Sequence, residues 1–207
     1  MKIVAIADIH GNDNVIYLIQ ELQGMIDFDA VVIAGDITDF GPAEFARELI
    51  NALPGKVLAI PGNCDPPEVI DEIEKSHGIN IHMKTALVNG YRFVGLGGVN
   101  SGFSMGIKFT DDFAMNLLGN CRNCIFVTHQ PPYGFLDEVM GGKHIGSMGI
   151  RKAIDLGEPP LVISGHVHEG RGYIKYKKTV MVNPGPAKEG YAAVIDMEKQ
   201  RIEMIER

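Results

Sequence analysis

The chain has 207 residues, 45% of them hydrophobic and 22% charged, with three cysteines and a formal net charge of −7. That length fits a single domain, residues 1–207, with a sizeable core, and the composition is that of an ordinary globular protein. Net acidity argues against a general binder of duplex phosphate, and three sparse cysteines argue against a disulfide framework and for a reducing cytoplasm.

The first apolar run, KIVAIA (2–7), is too short for a signal-peptide core or a membrane span, and no other run approaches membrane length. It reads as a strand that ends in Asp8-Ile9-His10. A helical pattern covers roughly residues 13–23, with Asp13 placed to cap it. AVVIA (30–34) runs into Gly35-Asp36, and a second helical pattern covers 43–51. KVLAI (56–60) runs into Pro61-Gly62-Asn63-Cys64-Asp65, and a third helix spans 66–76, with Ser76-His77-Gly78 as a glycine-terminated end. The first half therefore reads βαβαβα, a parallel sheet. Residues 86–94 are a hairpin with an Asn89-Gly90 turn. GLGGVNSGFSMG (95–106) reads as a mobile loop and lacks the spacing of a dinucleotide fingerprint. CIFVT (124–128) runs into His129, and LVIS (161–164) into Gly165-His166-Val167-His168. GYIKYKKTVMVNPG and YAAVIDMEKQRIEMIE then look like strand pairs with charged turns. A second, partly antiparallel sheet is expected, packed on the first with helices outside.

Five apolar, mostly β-branched runs thus end in polar clusters. Such runs are strands buried on both faces. Ligands gather beyond the carboxyl ends of strands in open α/β sheets, so five scattered clusters predict one site. Asp8, His10, Asp36, Asn63, His129, His166 and His168 offer two carboxylates, four imidazoles and one amide oxygen. Two ions sharing a carboxylate can use such a set, whereas one ion cannot. Mixed nitrogen and oxygen donors suit manganese, iron, zinc, nickel or cobalt rather than calcium or magnesium. Two such ions ~3.5–4 Å apart clamp an in-line displacement at phosphorus. Asp8 and His10 are two apart, as are His166 and His168, and in extended backbone i and i+2 share a side.

The order DIH, GDITD, GNCD, TH and GHVH resembles the calcineurin-like metallophosphoesterase superfamily, whose pattern runs D-x-H, G-D-x-x-D, G-N-H-[DE], a lone His and G-H-x-H. The resemblance spans residues 8 to 168. It implies a four-layer α/β/β/α sandwich of two mixed sheets flanked by helices, and a site for two divalent transition-metal ions, manganese favoured. It further implies that Asp8, His10 and His168 hold one ion, that Asn63, His129 and His166 hold the other, and that Asp36 bridges them. A metal-bridging hydroxide would then attack phosphorus. The departure is Cys64, where the common motif has a histidine that helps the leaving group depart or contacts the phosphoryl oxygens. Some members that act on phosphodiesters carry cysteine there.

Cys64 and Asp65 are accordingly candidate catalytic residues. Asn12 is a candidate substrate contact. His144 reads either as a solvated loop histidine or as a substrate contact at the cavity rim. Asp39 reads as a loop-fixing residue, and Ser147 as a helix cap. The Cys121-x-x-Cys124 pair lacks a second Cys/His pair for zinc and reads as two small residues where a strand begins. The expected function is a cytoplasmic phosphodiesterase acting on a small phosphate ester, with no membrane and no stable nucleic-acid partner. Its rivals are a nuclease, disfavoured by the absence of a basic or aromatic stripe, and an interaction scaffold like the retromer subunit of this fold, disfavoured because all seven ligands are present.

Overall fold

The structure, a computed structural model, describes residues 1–207. In chain order the elements are β1 (Lys2–Ile6), α1 (Asn14–Met25), β2 (Ala30–Ala34), α2 (Glu44–Ala52), β3 (Lys56–Ile60), α3 (Val69–Lys75), β4 (Ile79–Asn80), β5 (Thr85–Val88) and β6 (Tyr91–Leu96). There follow α4 (Asp111–Gly119), β7 (Cys124–Thr128), β8 (Glu138–Val139), β9 (Lys143–His144), α5 (Met148–Gly157), β10 (Leu161–Ile163), β11 (Gly172–Tyr176), β12 (Thr179–Asn183), β13 (Tyr191–Asp196) and β14 (Arg201–Glu206).

Two six-stranded mixed sheets form, in the orders β14-β13-β1-β2-β3-β4 and β11-β12-β10-β7-β6-β5. Their centres are parallel: β1 through β4 in the first, and β12-β10-β7-β6 in the second. The second sheet is thus more parallel than its hairpin signals suggest. Antiparallel pairing is confined to its two edge ribbons, β11–β12 and β5–β6.

The four layers follow from the two-residue repeat of each strand. Val4, Ile6, Val31, Ile33 and Val57 point outward onto α1, α2 and α3, meeting Leu18, Ile19, Leu49, Ile50 and Ile73. Their neighbours Ile3, Ala5, Val32 and Leu58 point the other way, onto Phe93, Ile125, Val127 and Ile163 of the second sheet. The far face of that sheet, with Val94, Phe126 and Val162, is covered by Leu118 of α4 and Ile150 and Ile154 of α5. The runs are apolar throughout because each strand has protein on both sides.

Asn89 and Gly90 both take positive φ (49° and 82°), as a two-residue turn between β5 and β6 requires. Several local expectations are corrected. Gly95, Gly97 and Gly98, at the start of the glycine-rich segment, are wedged and belong to the packed end of β6: a Cβ would sit 2.5 Å from Ile60, 2.3 Å from the Pro61 carbonyl and 2.2 Å from the Ile107 carbonyl. They let the crossing from the second sheet touch the loop after β3. Asp13 makes no side-chain cap on α1; Asn12 Oδ1 instead accepts from the Asn14 N–H at 3.0 Å. Gly78 does not end α3 in a left-handed turn; Ser76 Oγ closes it on the Ile73 carbonyl at 2.6 Å. Cys121 and Cys124 are joined in a disulfide, their Cα atoms 5.7 Å apart. Asn123, at φ 54°, curls the chain so that they meet. The three cysteines are thus one disulfide pair and one free, buried thiol, which removes the ground for expecting a reducing compartment. No helix is long and apolar enough to cross a membrane.

Candidate functional site

The three polar clusters after β1, β2 and β3 belong to the first sheet, and those after β7 and β10 to the second. The seven candidate ligands nevertheless converge, because the parallel centres of both sheets end at one edge of the sandwich. The backbone there is not extended, contrary to expectation. Asp8, His10, Asp36 and His166 stand at φ 54°, 48°, 50° and 67°. Asp and His tolerate the left-handed region better than most residues, and such strained positions cluster at functional sites. Sharp left-handed turns, rather than an i, i+2 repeat, bring the paired residues inward.

Glycines let these turns approach. A Cβ on Gly35 would lie 2.4 Å from His129 Nδ1, one on Gly62 would lie 2.0 Å from Asp36 Oδ1, and one on Gly165 would lie 2.7 Å from Ala7 Cβ. The glycine of each G-D, G-N and G-H pair therefore makes room for a partner from another strand.

Asp36 lies at the centre and is buried. Its Oδ1 accepts the Cys64 N–H at 2.8 Å. Its Oδ2 is 3.4 Å from His129 Nε2 and 3.8 Å from His10 Nε2. The Asn63 amide is oriented by two contacts. Its Nδ2 donates to Cys64 Sγ at 3.4 Å, and its Oδ1 lies 2.9 Å from His129 Nε2. The Ala34 carbonyl, 2.9 Å from His129 Nδ1, fixes the other side of that ring. At the opposite end, His168 Nε2 is 3.6 Å from Asp8 Oδ1, and Asp8 accepts the His166 N–H. The His166 ring packs edge-on to His129 at 5.1 Å, and His10 to His168 at 5.8 Å. Asp39 Oδ1, 3.6 Å from His10 Nδ1, is placed to orient that ring.

Donor atoms of Asp8, His10 and His168 lie mutually within 4.8 Å, as do those of Asp8, Asp36 and His129. The 2.9 and 3.4 Å from His129 Nε2 to Asn63 Oδ1 and to Asp36 Oδ2 are about the spacing of neighbouring ligands around one ion with bonds of roughly 2.0–2.2 Å. Charge points the same way. Burial pushes the Asp36 carboxyl up, but the His129 imidazole and the Cys64 N–H outweigh it and hold it below the usual range. Burial pushes His129 down, and Asp36 more than reverses this, to about 9. Burial, then the His129 charge, press His166 down to about 4. Two buried carboxylates thus draw a cation into the cavity, and in the bare polypeptide a proton on His129 fills that role. The donor set, its spacing and its charge suit divalent transition ions.

Cys64 Sγ lies within 4.8 Å of donor atoms of His10 and Asp36. Burial, then the Asp36 carboxylate, push the thiol up, so it stays protonated. Asp65 does not fill the catalytic role expected of it. It is fully buried, and its oxygens accept from the Ile37, Thr38 and Gly62 N–H groups and the Thr38 hydroxyl at 2.7–3.0 Å. It stitches the loops after β2 and β3 together and so positions Asp36 and Asn63. Asn12 is likewise occupied, donating to the Lys188 carbonyl at 3.0 Å while its oxygen caps α1. Ser147 caps α5, accepting the Ile150 N–H at 3.1 Å.

His144 lies on the small β8–β9 hairpin, which lines a cleft of about 510 Å³ together with Glu169 and Gly170, next to His168. Its Nδ1 is 2.7 Å from Oδ1 of the buried Asp137, whose other oxygen accepts the Gly134 and Gly146 N–H groups. Sequence reasoning missed Asp137, because nothing local separates it from an ordinary turn acid. It also missed Asn183, whose Nδ2 holds the Val167 carbonyl at 2.8 Å and so fixes the G-H-x-H turn. The VNPGP stretch was the available signal. Lys188 was missed too; its charge is close enough to bear on both His10 and His168.

Residues 1–170 match the family of calcineurin-like phosphoesterases. The uncharacterized protein MJ1162 of Methanocaldococcus jannaschii is 37% identical over 199 residues, covering 90% of this chain and 88% of its own. Among solved structures, TT1561 of Thermus thermophilus superposes with a TM-score of 0.77 at 22% identity, over 99% of this chain and 98% of that one. An archaeal phosphodiesterase superposes at 0.60 with 19% identity over the whole of both chains. The family match covers both sheets' site-bearing strands and every candidate ligand, so the chain belongs to the calcineurin-like phosphoesterase family and is a metal-dependent phosphoesterase.

Proposed function

We propose that the protein hydrolyses small phosphodiesters in preference to phosphomonoesters, at a binuclear centre built around Asp36. The observation that carries this reading is the position of Asp36 Oδ2, which faces His129 on one side and His10 on the other. A carboxylate shared by two ions needs donors on both sides of one oxygen. Asp8, His10 and His168 would hold one ion, and Asn63, His129 and His166 the other. The nitrogen-rich set favours manganese or a similar transition ion. Bound ions would supply Lewis acidity toward the phosphoryl oxygens and a water activated for in-line attack.

The chain's own residues supply orientation and proton control. Asp65, through its four hydrogen bonds, holds the Asp36 and Asn63 loops in register. Asn63 presents its oxygen because Cys64 Sγ and His129 take its two ends. Cys64 stands where the family pattern has histidine, and in the bare polypeptide burial and the Asp36 carboxylate keep it a neutral thiol. It is a weak proton donor, so leaving groups that need little protonation suit the site. That property supports the diester reading. His144, oriented by Asp137, lines a cleft that reaches Glu169, the residue after His168, and is proposed to contact the substrate. Asn12 is proposed to contact it only through rearrangement of the loop it caps.

Asp36→Asn tests the bridge. It removes charge from both ion positions at once, so elemental analysis should show loss of both tightly bound ions, with kcat falling by roughly 10²–10⁴. A wild-type protein that binds at most one ion when fully loaded refutes the binuclear reading. Faster turnover of monoesters than of diesters with the same leaving group refutes the diester preference.

A further inference from the structure

Two aromatic rings beside the site have no part in the chemistry described so far. Phe40 and Phe103 are 53% and 62% exposed, and their rings meet edge-on with centroids 5.6 Å apart. Single exposed apolar residues are ordinary on a protein surface. Three features set this pair apart. Phe40 stands at φ 61°, a conformation a bulky side chain rarely adopts, and burial of its ring does not explain why it is held there. Its N–H donates to the Cys64 carbonyl at 3.2 Å. The Phe103 loop is tied to the adjacent residue, since the Met105 N–H donates to the Asn63 carbonyl at 2.8 Å. Two distant segments thus converge on one dipeptide of the candidate metal centre, each carrying an exposed phenyl ring.

The loop under Phe103 is also braced. Ser104 Oγ donates to the Ile107 carbonyl at 2.9 Å and accepts the Gly106 N–H at 3.1 Å. Met105, two residues along the same loop, is also exposed. The aromatic pair therefore flanks the candidate metal centre through Asn63 and Cys64, so that a phosphate ester with one planar arm would place its phosphoryl group at the centre and that arm on the rings.

We propose that Phe40 and Phe103 form the seat for a planar aromatic ester arm, an aryl ring or a nucleobase, and so determine substrate choice. This rests on the phosphoesterase reading and narrows it. A flat ring seated there packs on phenyl faces, an interaction open to any aromatic ring because it needs no hydrogen-bond pattern. A methyl or other small alkyl arm would leave the pair exposed.

Three diesters sharing a 4-nitrophenyl leaving group test this, their second arm being 4-nitrophenyl, thymidine 5′-yl or methyl. The metal-loaded enzyme should favour at least one aromatic arm over methyl by about tenfold in kcat/KM, mainly through KM. Phe40→Ala and Phe103→Ala should bring that ratio close to unity while elemental analysis shows unchanged metal content. Whichever of the two aromatic arms holds the larger advantage identifies the source of the ring. The chain has no tryptophan, so Phe103→Trp installs a single tryptophan, excited apart from the six tyrosines, for a measurement that needs no turnover. Phenylphosphonate should change its emission at concentrations where methylphosphonate does not. Unchanged arm selectivity in both alanine variants, or equal responses to the two phosphonates, overturns the proposal. If no phosphate ester is hydrolysed, the phosphoesterase reading fails by itself, and the two phosphonates still decide the aromatic seat.

Discussion

Replacing Gly62 by alanine puts a methyl group where the protein keeps a carboxylate. The new Cβ would lie 2.0 Å from Asp36 Oδ1 and 2.2 Å from the Asp36 backbone nitrogen. Ordinary contact begins at 3.4 Å, so the oxygen must retreat by more than an ångström, and the backbone nitrogen by a similar distance. No rotamer change relieves a clash with main chain. The two loops are also tied to each other, by Thr38 N–H to Asp65 Oδ1 at 2.7 Å and Cys64 N–H to Asp36 Oδ1 at 2.8 Å. Relief therefore means moving Asp36 as a whole. Overpacking of this kind costs about 1–3 kcal/mol, and a shift of about 1 Å at a reacting centre costs on the order of 10²-fold in rate. Gly62→Ala should lower the urea midpoint modestly, reduce the bound metal, and cut kcat/KM on bis(4-nitrophenyl) phosphate about 100-fold. Gly24→Ala is the control. It lies within α1 with nothing within 4 Å of the new methyl, and should stabilise by about 0.5–1 kcal/mol. A Gly62→Ala protein with full metal content and turnover within about twofold of wild type refutes the reasoning.

Metal uptake by the bare protein at pH 7 should release at least one proton, because His129 is pushed up to about 9 and must be neutral to ligate, and His168, held above the usual imidazole range by the Asp8 carboxylate, adds to it. Apparent affinity should then rise by about tenfold or more per pH unit until about pH 9 and level off above it; calorimetry in two buffers of unlike ionisation enthalpy counts the protons, and none released contradicts the His129–Asp36 pairing. Cys64→Ala should keep the metal and most activity on aryl diesters, while Cys64→His should improve poorer leaving groups; elemental analysis showing a lost ion in the alanine variant would make the thiol a ligand. Ser147→Ala removes a cap on α5 and a 2.6 Å hydrogen bond to Asp111, and should cost about 0.5–2 kcal/mol by urea unfolding.

Much of the architecture was legible because it depends on local patterns. Apolar runs of four to six residues, broken by Gly-Asp or Gly-His, mark strands with protein on both faces, and Asn89-Gly90 demands its turn whatever surrounds it. The polar clusters at the ends of β1, β2, β3, β7 and β10 marked one site because strand direction alone carries all five to the same edge. The sequence did not determine which sheet holds which strand, since β7 and β10 bear the same buried pattern as β1 through β3. Only the packed structure decided the finer chemistry. Asp65 and Asp36 are both acids just past a strand end, yet one is sealed by four donors and the other faces two imidazoles. The difference lies in loops brought together from residues 28 positions apart. The same holds for Asp137 behind His144, for the disulfide between Cys121 and Cys124, and for Phe40 meeting Phe103. Each depends on where a distant segment comes to rest, and periodicity, composition and spacing carry no record of that.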